Sequence, residues 1–101
     1  MIAVVLRRGD NWIDGVPLVG QTDFDGHVAF VGDLRERGSA VEVGPLSDPG
    51  LDTGDDLVGL ALLPVGSVED ARALMADDPM VLAGILSVRA YSWGTSALQR
   101  T

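Results

Sequence analysis

Two side chains in this sequence are of the types that proton transfer needs, and each stands near the start of a helix. His27 is the single histidine, and Asp78 directly precedes Pro79. A neutral imidazole accepts a proton, as a general base must, and a carboxylate can fix the ring tautomer and stabilise the imidazolium that forms. On a helical wheel His27 falls between Phe24, Val31 and Leu34, inside an apolar stripe, so it faces inward. The plain alternative is a core histidine satisfied by one hydrogen bond. Asp78-Pro79 has its own plain alternative, a helix start with Asp as N-cap and Pro as first helical residue. Asp77 competes as the acid one position earlier. A cap and a proton-transfer role are compatible, because one carboxylate oxygen can take the cap bond while the other meets a partner.

Further residues are candidates for binding substrate. Arg7 could face an anion from the first strand, with a surface role as the alternative. Trp12 in the first loop and Trp93 with Tyr91 on the last strand could line an apolar pocket, or simply pack. Ser67 is placed to cap a helix. The acids Asp48, Asp52, Asp55 and Asp56 fail the calcium-loop spacing and read as solvated turn residues. With one His and no Cys, no metal site is expected. No glycine-rich cradle follows a strand in the form that nucleotides require, and no cofactor is expected.

The elements that must position these residues follow from the hydrophobic pattern. Residues 2–8 alternate as a strand, and 9–22 hold Gly and Pro among Asp and Asn, as a loop does. Residues 24–37 repeat apolar side chains at three and four, with Asp23 or Asp25 able to cap the start and Gly38 at the stop. Residues 39–44 and 57–65 are the next strands, separated by a loop over 45–56. Ser67-Val68-Glu69-Asp70 resembles a capping box, and the helix behind it aligns Val68, Ala71, Leu74 and Met75. Asp78-Pro79 ends that helix and starts a short turn through Ala83-Gly84. Residues 85–93 form the last strand, and 94–101 a frayed tail. The order strand, helix, strand, strand, helix, strand is the split βαβ arrangement, an α+β ferredoxin-like fold with a four-stranded antiparallel sheet and its helices on one face.

The segment 57–63, Leu-Val-Gly-Leu-Ala-Leu-Leu, is apolar at both parities. A strand with one wet face alternates, so the face opposite the helices needs cover. A second copy of the sheet, packed face to face, is the expected cover, giving a homodimer.

The chain has 101 residues, enough for one domain, and 47% of them are hydrophobic. Its formal net charge is −8, with seven basic residues, all Arg, against fifteen acids. That balance repels nucleic acid and anionic membranes. No apolar run is long enough to span a bilayer, and the charges follow the first apolar run instead of preceding it, unlike a secretory signal. A cytoplasmic protein whose partner is a small molecule is the expectation.

The residues His27, Gly38, Gly44-Pro45, Ser67-Val68-Glu69-Asp70-Ala71, Asp78-Pro79-Met80-Val81-Leu82-Ala83-Gly84-Ile85 and Trp93 occur in the order seen in the YCII-related (YciI-like) family. The chain resembles that family from His27 to Trp93, most specifically over 78–85. The resemblance implies a dimeric α+β barrel, built from two ferredoxin-like sheets. It also implies a pocket between helices and sheet in which His27 and Asp78 lie close together. Some members resemble ring-modifying enzymes such as dehydrochlorinases, and wider relatives include muconolactone isomerase. The sequence departs from the family before the histidine. Members often carry an Arg there, whereas this chain has Thr22-Asp23-Phe24-Asp25-Gly26, and its loop from Gly9 to Gln21 is longer. Two functions follow as expectations: a cofactor-free lyase or isomerase using His27 and Asp78, or a dimeric metabolite-binding module without turnover.

Overall fold

The computed structural model describes residues 1–47 and 56–94. The turn acids Asp48, Asp52 and Asp55 and the tail beyond Gly94 lie outside the described residues.

Strand β1 (Ile2–Arg8) alternates as its sequence requires: Ile2, Val4 and Leu6 are buried, while Ala3, Val5 and Arg7 are half-buried. Helix α1 spans Phe24–Glu36, β2 Glu42–Pro45, β3 Leu57–Leu63, α2 Val68–Met75, α3 Pro79–Leu82 and β4 Leu86–Ser92. The sheet is antiparallel in the order β2-β3-β1-β4, which is the α+β ferredoxin-like arrangement. The helices cover the face carrying Val4, Ala61 and Leu63, and Leu34, Met75 and Met80 complete a core without solvent exposure. Among the described residues, no helix is long and apolar enough to cross a membrane.

Several boundaries differ from those expected, each for a local reason. β2 starts at Glu42 and not at residue 39, because the Ser39 and Ala40 amides both donate back to the Leu34 carbonyl. Gly38 makes that reversal possible with φ +74°, a conformation that Gly adopts without a Cβ penalty. β3 ends at Leu63 because Pro64 has no amide to continue the ladder. Asp23 holds the cap position of α1, but its side chain makes no cap bond. Its backbone is left-handed, at φ 63°, and its carbonyl accepts the His27 amide at 3.0 Å. Ser67 caps α2 as expected, accepting from the Asp70 amide at 3.0 Å.

One irregularity of the sheet shapes the protein. Leu6 pairs with Gly59 and Arg7 with Leu57, so Val58 is an extra residue in β3. Such a bulge re-aims a side chain. Part of the apolar character at both parities of β3 therefore comes from this bulge, which leaves Val58 buried with the core. Leu60 and Leu62 remain on the face away from the helices, beside Val5 and Ala3, and all four are half-buried.

Candidate active site

His27 sits in the first turn of α1, seven residues before the fully buried Leu34 on the same side of the helix. That stripe turns the imidazole inward, where it is only 8% exposed, and the Phe24 ring packs beside it. Asp78 approaches from the other half of the chain. It is the N-cap of α3, with Pro79 at the first helical position, and it is wholly buried. Its two oxygens have separate partners. Oδ1 accepts the Met80 amide at 2.9 Å, and Oδ2 meets His27 Nδ1 at 2.5 Å. Both acceptors of a buried carboxylate are thus satisfied, as burial of a charge demands. Asp77 is exposed.

The two helix starts can come this close because of Gly26. A Cβ there would meet the Pro79 ring at 3.1 and 3.2 Å, tighter than ordinary packing. With Nδ1 engaged by Asp78, Nε2 is the ring nitrogen left to serve a ligand.

His27 borders a cavity of about 370 Å³. From α1 come Phe24, Val28 and Val31 as one wall. The sheet supplies Val43, Gly59 and the bulged Val58. The first loop closes over the top with Pro17, Leu18 and Val19, the last two in a short 3-10 turn. That loop is held by Gln21, whose side chain is buried and makes three bonds. Its amide donates to the carbonyls of Ile13 (2.9 Å) and Val16 (2.7 Å), and its oxygen accepts the Ile13 amide at 2.9 Å.

The other expected substrate contacts do not reach this cavity. Arg7 lies on the face of β1 opposite Leu6, because successive side chains of a strand point to opposite sides. Its Nε is buried without a hydrogen-bond partner among the described residues. Ser67 is committed to the α2 cap. Trp93 follows the end of β4 and is 53% exposed. Trp12 lies under the Arg8 guanidinium, 5.1 Å from ring centre, and borders an adjoining cleft with Pro17, Leu18, Pro45 and Val58. Sequence reasoning passed over Gln21, Gly26 and Val58, whose roles depend on backbone geometry that residue type alone does not reveal.

No protein-family model and no curated protein matches the chain. Among solved structures, the chain is similar to 5-chloro-2-hydroxyhydroquinone dehydrochlorinase (TftG) from Burkholderia phenoliruptrix, determined in complex with 2,5-dihydroxybenzoquinone. The superposition covers 97% of this chain and 98% of that one, with a TM-score of 0.65 and 18% sequence identity. At that identity the likeness shows a shared fold.

Proposed function

We propose that this chain is a small cofactor-free enzyme of lyase or isomerase type, which moves a proton on a cyclic or aromatic compound held against His27. The observation that carries the reading is the buried contact between His27 Nδ1 and Asp78 Oδ2 beside a cavity. In it, His27 Nε2 takes a proton from a carbon or hydroxyl of the substrate. Asp78 holds Nδ1–H and stabilises the imidazolium. An elimination follows if a leaving group departs with the bonding pair, and an isomerisation if His27 returns the proton to another atom of the ring. The dehydrochlorinase activity of the structural neighbour supports an elimination on a small aromatic ring.

The half-buried face carrying Ala3, Val5, Leu60 and Leu62 supports a homodimer packed sheet to sheet. The competing reading, a metabolite-binding module without turnover, draws on the cavity offering one titratable side chain among the described residues.

Conversion of lactones and chlorinated hydroxyaromatics by the purified chain tests the proposal. A converted compound should lose about 10²–10⁴-fold in rate with His27→Ala. Full turnover by a folded His27→Ala protein would overturn the assignment. Binding without conversion would favour the module.

A further inference from the structure

We infer that the cavity beside His27 takes an uncharged ring compound with its polar substituents on one edge and hydrocarbon on the other. The inference rests on the reading of this cavity as the substrate site, and it narrows the substrate class. Among the described residues, His27 supplies the only polar side chain in the cavity wall. Away from the His27 ring the wall is hydrocarbon, Val43 and Val58 from the sheet with Pro17 and Leu18 from the loop. A polar group carried to that end of the cavity would lose its water and gain no side-chain partner, which is costly for a hydroxyl and more so for an anion. Among the described residues no Arg borders the cavity to pair a carboxylate: Arg7 lies across the sheet and Arg8 lies over Trp12. The net charge of −8 also lowers the local concentration of anions.

Size agrees with this chemistry. An apolar cavity of about 150 Å³ holds benzene, and here about 370 Å³ is available. A ring with a short alkyl group fits, its hydroxyl or acidic C–H directed to His27 and its alkyl carbons to the valines. The neighbour's ligand, 2,5-dihydroxybenzoquinone, has oxygens on opposite sides of its ring. In this cavity at least one of them would face hydrocarbon.

Calorimetric titration of the full chain at neutral pH with three probes tests the inference: 4-ethylphenol, 4-ethylbenzoate and 2,5-dihydroxybenzoquinone. 4-Ethylphenol is expected to bind at least about tenfold more tightly than either of the others. Val28 is 49% exposed at the cavity rim, so Val28→Arg is expected to preserve the fold. It should raise the affinity for 4-ethylbenzoate and close the gap to 4-ethylphenol. Absence of 4-ethylphenol binding, or equal affinity of the wild-type chain for 4-ethylbenzoate or the quinone, would overturn the inference. The proposed function fails separately. Turnover that survives His27→Ala removes it whatever the order of affinities, and a His27-dependent enzyme that prefers carboxylates keeps it while removing the inference made here.

Discussion

Asp78 combines two tasks in one carboxylate, and the two can be separated by substitution. Asp78→Asn keeps an oxygen for the Met80 amide but removes the negative charge beside His27. The helix start should survive, with a stability loss of about 1 kcal/mol, whereas any proton-transfer rate should fall by about 10²-fold or more. Thermal melts and rates measured on the same preparation separate the two effects. Gln21 gives a different residue-scale expectation. Gln21→Leu keeps the volume but leaves the Ile13 and Val16 backbone groups without their partners. Each abandoned group costs about 1–3 kcal/mol if it stays buried, so the loop should open instead and take its cavity residues with it. Faster amide exchange across residues 13–21, with the exchange of β1 unchanged, is the expected signature.

At the scale of elements, the meeting of α1 with α3 decides whether His27 and Asp78 touch. Gly26→Ala gains about 1 kcal/mol of helix propensity but places a methyl against the Pro79 ring. Overpacking costs about 1–3 kcal/mol, so the net change in stability should be small. The displacement is the larger consequence, since α3 has only four residues and Asp78 is its N-cap. Activity should drop more than tenfold while the melting temperature changes by a few degrees. The element order was legible in the sequence because apolar spacing of two and of three to four is written directly in the residues of β1 and α1. His27 was legible because it is the single histidine and falls inside an apolar stripe, and Asp78-Pro79 because Asp followed by Pro marks a helix start. The Val58 bulge, the Gln21 clasp and the late start of β2 were not. Each depends on which backbone group answers which across the fold, and Gln21 or Val58 would look ordinary in any loop or strand. Arg7, a candidate for facing a substrate anion with a surface role as the alternative, does not border the cavity, and its odd position on β1 sets it on the face opposite Leu6.

At the scale of the whole molecule, the uncovered sheet face makes its own prediction. Leu60→Arg sets a charge amid Val5, Leu62 and Ala3. Burying it unpaired in an interface costs about 3 kcal/mol, equivalent to roughly a hundredfold weaker self-association. If the chain forms the proposed sheet-to-sheet dimer, sedimentation should report Leu60→Arg as a monomer at concentrations where the parent chain sediments as a dimer, with the same circular dichroism. The strand order has a quite separate consequence. Among the described residues, β1 does not pair with β2, nor β3 with β4; each ladder joins the first half of the polypeptide to the second. The halves are interleaved, and the imidazole and carboxylate come one from each. A half-folded chain therefore has no sheet of its own kind and no site, so binding competence should disappear in urea at the same midpoint as the β-sheet signal, with no inactive native-like stage in between.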